Sequence, residues 1–335
     1  MILNNSFGID LGTSNIKIYS LSDDSILVEK NMIAIKNKTE IFAYGDSAYE
    51  MYEKAPSNIA ISFPLSNGVI AEIRNMEQLI HFFINDLSRN NIRQGDFYIT
   101  VPTDVTEVEK RAFYDLIKEA DVKAKHIWVV EKAIADGLGL DVDVKNSQGV
   151  LVVDVGYETT EISILSLGGI VRSRLIKCGG LKFDEAIRAA IRKQYNLVIG
   201  QKTAEEVKNS LKSLEEERRD AVVYGMNLVK GLPVECEIPT DMIVMSMAEQ
   251  FKAVVDNVKV ILELTPPELA ADIYKNGLYL TGGASSVSHL SELIAESTGL
   301  RVNSAENPIT SVAIGLSKIM KDDNYKSVAY SIEGK

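Results

Sequence analysis

Two stretches of this chain share one grammar. Residues 7–21 read FGIDLGTSNIKIYSL and residues 150–165 read VLVVDVGYETTEISIL. In each, an apolar run ends in Asp, turns at a glycine through a few polar residues, and becomes apolar again. Asp10 falls on Asp154, Gly12 on Gly156, Asn15 on Thr159 and Lys17 on Glu161, at a constant offset of 144 residues. This repeat constrains the fold more than any bulk property, because the chain must present the same hairpin once near the start of each half. At 335 residues it is also too long for one small core, and two domains of roughly 100–200 residues each are expected.

The rest of the pattern interleaves strands and helices. Apolar residues at helical spacing (Met76, Leu79, Ile80, Phe83, Ile84, Leu87) predict a helix over 75–88. Thr106 with Glu109 three residues on predicts a capped helix over 106–120, and Thr203 with Glu206 repeats that capping pattern. Further helices are expected over 133–140, 183–195, 204–218, 241–263 and 288–298, with Ser285 and Ser286 as caps before the last of these. A final helix opens after Asn307-Pro308 and runs to about 320. Strands are expected over 96–102, 127–130 and 277–283, and short strands alternate with turns up to Asp46. The tail 321–335 reads as loosely ordered. Long crossovers between strands make this an α/β chain with mixed sheets.

A strand–turn–strand tip with a small residue lets backbone N–H groups converge on one point, and such a nest binds anions such as phosphate oxygens. Gly12 allows close approach of the backbone, and Thr13, Ser14 and Asn15 add short polar side chains. An Asp at a strand end cannot hold phosphate itself and suits hydrated Mg²⁺, which keeps most of its waters. Two such hairpins face to face would clamp the phosphates and metal of a nucleotide. The alternative is a pair of ordinary hairpins with Asp and Gly in their turns. A third glycine signal, LYLTGGASS (278–286), lets a base or ribose lie against Gly282-Gly283.

Several classes are excluded. GxxxxGK[ST], GxGxxG, GxSxG and the kinase HRD and DFG sets are absent. A net charge of −11 argues against broad attraction to nucleic acid or anionic lipid. Cys178 and Cys236 stand apart with no CxxC, so no structural zinc is expected and a reducing compartment fits. No run approaches about 18 consecutive apolar residues and MILNNSFGID has no leader-like pattern, so neither secretion nor a membrane span is expected.

Taken together, the paired hairpins, the duplication and the Gly-Gly turn resemble the actin-like ATPase superfamily. Within it the chain is similar to the MreB family of bacterial actin homologues. PLSNGVIAE (64–72), TVPTDVTEVEKRA (100–112), GGLKFDEAI (179–187), IGQKTAEEVK (199–208), TPPELAADI (265–273) and AENPITSVAIG (305–315) carry the likeness across nearly the whole chain. It implies an actin-like fold: two related domains of ribonuclease H-like duplication, each a mixed sheet flanked by helices, with a nucleotide cleft between them. The first domain would span 1–142 and about 310–335, with an insert at about 34–66. The second would span 143–309, with an insert at about 179–261.

The resemblance also implies site residues. Asp10, Gly12, Thr13, Ser14, Asn15 and Lys17 match the first phosphate loop, and Asp154, Gly156, Thr159 and Thr160 the second. Glu131 matches the Glu that orients the attacking water, with Asp154 and Thr159 beside it in catalysis. Glu205 and Lys208, on one helix face, match contacts to ribose and adenine, and Gly282 and Gly283 the adenosine loop. ATP and Mg²⁺ are the implied cofactors, the metal held through water by Asp10 and Asp154. The implied activity is slow hydrolysis coupled to head-to-tail filaments that organise cell-wall synthesis and rod shape. Partners would be further copies of the chain and rod-complex membrane proteins, with no nucleic acid. The location would be cytoplasmic, the inner face of the cell membrane included.

The departures from the family pattern matter. Tyr157 and Glu158 replace two glycines of the second loop, and Lys132 replaces a proline next to Glu131. The Glu158 carboxylate points toward the γ-phosphate, or both side chains point away and only the amides matter. Lys17 either restores positive charge at the phosphates or pairs with Glu161. A non-hydrolysing nucleotide-binding scaffold of the same fold is therefore the second reading. A small-molecule kinase or chaperone ATPase is the third, with no further domain expected after about 320. Only Ile2, Leu3 and Ile92 are apolar enough for membrane insertion, so membrane contact is expected to be weak or indirect.

Overall fold

A computed structural model describes residues 5–333. Both repeated stretches are hairpins. Strand Phe7–Leu11 pairs antiparallel with Asn15–Ser20, and Val150–Val155 pairs antiparallel with Thr160–Ser166. Each hairpin gains a third antiparallel strand, Ser25–Lys30 in one case and Gly169–Ile176 in the other. On its opposite side each first strand pairs parallel with a crossover strand, Gly95–Val101 or Leu278–Thr281. One more parallel strand follows in each half, Ala124–Glu131 or Val302–Ser304. The duplication read from the hairpins therefore extends to whole sheets: an antiparallel meander continued by two parallel strands.

The sheets are held apart and aligned by two crossing helices, Lys132–Gly139 and Ser311–Lys321. Val130, Ala133, Ile134, Leu138, Val152, Leu165, Val312 and Leu316 fuse into one core between the sheets. The crossing is close because each helix offers a glycine to the other's backbone. A Cβ at Gly139 would overlap the Ser311 carbonyl, and one at Gly315 would overlap that of Ala135. Helices Ile73–Leu87 and Glu107–Glu119 cover the outer face of the first sheet. The former buries Met76, Leu79, Ile80, Phe83 and Ile84, as their spacing requires. The latter carries the expected cap: Thr106 Oγ1 accepts from the Glu109 N–H, and the Glu109 carboxylate accepts from the Thr106 N–H. Helices Gly180–Tyr195, Ala248–Glu263 and Leu290–Thr298 cover the second sheet.

Some local expectations are corrected. The helix expected from 204 starts at Gln201, so Thr203 and Glu206 lie inside its first turns and form no cap. Its free N-terminus is met by Glu53, whose carboxylate accepts from the Gln201 N–H. The helix expected over 241–263 breaks at Met247 into Thr240–Ser246 and Ala248–Glu263. Ser246 Oγ turns back onto the Ile243 carbonyl at 2.6 Å, a local bond that competes with the helical ladder. The helix expected from 288 begins at Leu290, capped by His289 in the left-handed region rather than by Ser285 or Ser286. The last helix begins at Ser311, because the Pro308 carbonyl is taken by the Gly282 N–H. A hairpin over Ala221–Asn227 and Leu232–Ile238 and a helix over Pro267–Asn276 were not anticipated. The tail is ordered as far as Tyr330: Asp323–Val328 forms a 3₁₀ turn and Ala329–Tyr330 adds a strand to the edge of the first sheet.

Ile92 is partly buried against the first core. Ile2 and Leu3 lie outside the described residues. Among the described residues no helix is long and apolar enough to cross a membrane.

Candidate functional site

The hairpin tips face each other across a cleft of about 250 Å³. They are the same turn. The Gly12 N–H donates to the Asn15 carbonyl at 3.0 Å, and the Gly156 N–H to the Thr159 carbonyl at 2.8 Å. A Cβ at Gly12 would sit 2.6 Å from that carbonyl, which explains the glycine. Tyr157 and Glu158 need no such licence, since neither adopts positive φ. Tyr157 lines the cleft. Glu158 does not; its carboxylate accepts from the Asn67 N–H.

Asp10, Gly12, Thr13, Ser14, Asn15, Lys17, Asp154, Gly156, Thr159, Glu205, Lys208, Gly282 and Gly283 all line this cleft. Gly282 is required by its backbone: φ is +93° and a Cβ would collide with Asp154 and Val155. Lys208 forms a buried ion pair with Asp184 at 2.7 Å, and Gln201 Nε2 donates to the other Asp184 oxygen at 2.9 Å. Burial still outweighs Lys208 and pushes the Asp184 carboxyl up to about 6. Glu205 accepts from the Tyr49 hydroxyl at 3.1 Å, and the Lys202 and Lys30 ammoniums lie over the Tyr49 ring. Tyr49 and Glu53 thus reach across the mouth of the cleft to the helix Gln201–Glu217.

Two expected residues are placed elsewhere. Thr160 is fully buried and its hydroxyl donates to the Cys178 carbonyl at 2.7 Å. Glu131 ends the strand Ala124–Glu131 with its carboxylate turned from the cleft, held by Lys110 Nζ and the Tyr330 hydroxyl, each at 2.9 Å. Glu131, expected to orient the attacking water, does not line the cleft. Adjacent residues at a strand end project to different sides, and it is Lys132 that enters the cleft.

Lys132, marked in the sequence only as a departure beside Glu131, is itself a residue of the cleft. Its Nζ lies 2.5 Å from Asp154 Oδ2 and 3.0 Å from Glu161 Oε1. Glu161 also accepts from the Thr103 N–H and hydroxyl. Burial opposes a charged lysine here, but Asp154, Glu161 and Asp10 outweigh it and hold the Lys132 ammonium well above its ordinary pKa. Lys17 does not pair with Glu161. It pairs with Asp10 at 3.0 Å. Burial alone would raise the Asp10 pKa, but Lys17 and Lys132 together hold it below its ordinary value. Asp136, one turn beyond Lys132, accepts from Ser311 Oγ at 2.7 Å. Burial and the Asp154 charge push its carboxyl well up.

The donor set fits a nucleotide better than it fits a metal. Backbone turns, small side chains and two ammoniums suit phosphate oxygens. The two aspartates expected to hold hydrated Mg²⁺ each have an ammonium on Oδ2, and a divalent cation would meet like charge there.

The comparisons agree with this architecture. The model of the family described as MreB/Mbl protein matches residues 4–327. The cell shape-determining protein MreB of Escherichia coli K12 is 34% identical over 329 residues, covering 96% of this chain and 94% of its own. The cell shape-determining protein Mbl of Bacillus subtilis 168 is 36% identical over 314 residues, covering 92% and 93%. The crystal structure of MreB5 of Spiroplasma citri bound to AMPPNP superposes with TM-score 0.90 at 33% identity, over 97% of this chain and 98% of that one. A MamK double helical filament, at 20% identity and TM-score 0.78, shares the actin-like fold over 95% of this chain and 99% of that one. Matched over almost its full length in sequence and in structure, this chain belongs to the MreB/Mbl family.

Proposed function

We propose that this chain is an actin-like cytoskeletal protein that takes ATP into the cleft between its two halves and assembles head to tail into filaments that serve cell shape. One observation carries the reading: two turns with the same hydrogen bond, Gly12 to Asn15 and Gly156 to Thr159, face one cleft that Gly282-Gly283 and Lys208 complete. The solved relative bound to AMPPNP and the filament-forming neighbour support it. In this reading Gly12 to Asn15 and Gly156 to Thr159 hold phosphates, Glu205 and Lys208 flank the nucleoside, and closure of the cleft prepares a face for the next copy. Such a heterologous contact does not close on itself and so extends. Rod-complex membrane proteins and the cell-wall machinery are the proposed partners, at the inner face of the membrane.

Hydrolysis is proposed to be slow or absent. Glu131 is engaged by Lys110 and Tyr330, and an ammonium occupies the neighbouring place in the cleft. The other carboxylates lining the cleft are engaged among the described residues: Asp10 by Lys17, Asp154 and Glu161 by Lys132, and Glu205 by the Tyr49 hydroxyl. The scaffold reading is thus favoured over a fast switch.

Sedimentation of the purified protein with ATP, ADP and no nucleotide, with phosphate followed in the same tubes, tests both parts. ATP-dependent pelleting with little phosphate release is expected. Release that keeps pace with assembly would restore the switch. No pelleting with any nucleotide would sink the filament reading for the isolated chain.

A further inference from the structure

Asp154 and Glu161 are direct cross-strand partners in the second hairpin, and both are nearly sealed from water. Like charges at directly opposed positions repel, and burial intensifies this. Lys132 resolves the conflict by bridging the two carboxylates. It cannot leave that seat without exposing them to each other. Lys17 differs. It contacts one carboxylate, Asp10, which also accepts from the Thr100 hydroxyl at 3.3 Å. Lys17 can therefore turn to a phosphate oxygen while Asp10 keeps Thr100 and the nearby charge of Lys132.

The pair of aspartates that would carry the water shell of a divalent cation thus faces a cation that belongs to the chain. Lys132 already holds Asp154 and Glu161, and Lys17 holds Asp10, so a divalent cation would have to displace these ammoniums to reach the carboxylates.

We propose that the cleft binds the triphosphate of its nucleotide without a divalent cation, the buried ammonium of Lys132 supplying the positive charge. This rests on the reading that the cleft takes a nucleotide. It makes Lys132 a binding residue of the triphosphate end and Lys17 its mobile companion.

The test is equilibrium binding of a fluorescent ATP analogue to the full chain, in millimolar Mg²⁺ and in excess EDTA. Dissociation constants within about threefold of each other are expected, and a loss of tenfold or more in EDTA overturns the inference. Binding in neither condition overturns the nucleotide reading and this inference together, so the two failures are distinguishable. Lys132→Gln supplies the second readout. It removes the resident charge, so its affinity is expected to become about tenfold better with Mg²⁺ than with EDTA. A folded Lys132→Gln variant as indifferent to Mg²⁺ as the parent overturns the role given to Lys132. If that variant does not fold, the measurement on the unaltered chain still decides.

Discussion

In the first hairpin Asp10 lies opposite Lys17, and the strand partner itself neutralises it. In the second, Asp154 lies opposite Glu161, and the neutralising charge comes from Lys132 at the start of a helix that follows the other sheet. The backbones are the same turn; the charge balance is opposite in origin. The first hairpin closes its ion pair within its own two strands, with Lys132 adding a more distant charge. The second is complete only when both halves of the molecule are assembled. A lysine in the first turn of a helix also opposes the helix dipole, so Lys132 is placed there for the carboxylates and not for the helix. Duplication has preserved the geometry of the turn while the ionic network has become a link between halves.

The largest effect expected from this contrast is on stability. Lys132→Met leaves two opposed buried carboxylates without a cation and should cost about 3–5 kcal/mol in chemical denaturation. Lys17→Met breaks a single pair whose carboxylate keeps a hydroxyl donor, and should cost about 1–2 kcal/mol. Equal losses would break the comparison. Next in size is a rescue. Adding Glu161→Gln to Lys132→Met removes the repulsion and should recover about 1–2 kcal/mol in a double-mutant cycle; strict additivity would show that Glu161 is not part of the network.

A smaller effect concerns the residue outside the cleft. Glu131→Gln should leave phosphate release within about twofold of the parent and lower stability by about 1 kcal/mol, through its contacts with Lys110 and Tyr330. Loss of measurable turnover in that variant would return Glu131 to catalysis.

The smallest effect is on pH dependence, at the Asp184–Lys208 pair beside the second hairpin. The Asp184 carboxyl is raised to about 6 from an ordinary 3.8. The folded state therefore holds this proton more tightly than the unfolded chain. Its contribution to stability falls as pH rises from about 4 to about 6 and is level above that. Melting curves of Asp184→Asn should lack this decline while the parent shows it.

Much of the site was legible in the chain because it is local. Asp10, Gly12, Asp154 and Gly156 are set by an apolar run that ends in Asp and by one glycine turn, and within each hairpin both signals lie inside about fifteen residues. Helices Ile73–Leu87 and Glu107–Glu119 were legible because spacing and a cap specify them. The hairpin over Ala221–Ile238 was not, since its outward face keeps Val222, Tyr224 and Met226 exposed and offers no clean polar–apolar alternation. The final strand was not, because Ala329–Tyr330 is defined only by the sheet edge it joins.

By itself, then, the amino-acid order determined the repeated turn, the mixed α/β architecture and the family, all of which rest on contacts close in sequence or on long matched segments. The tertiary structure decided which of two adjacent side chains, Glu131 or Lys132, enters the cleft. It also decided that Lys17 pairs with Asp10 and that Thr160 faces Cys178. Those choices depend on the phase of a strand end and on partners brought from the other half of the chain. Buried charges settle on whichever opposite charge the fold delivers, and that is not written in the neighbouring residues.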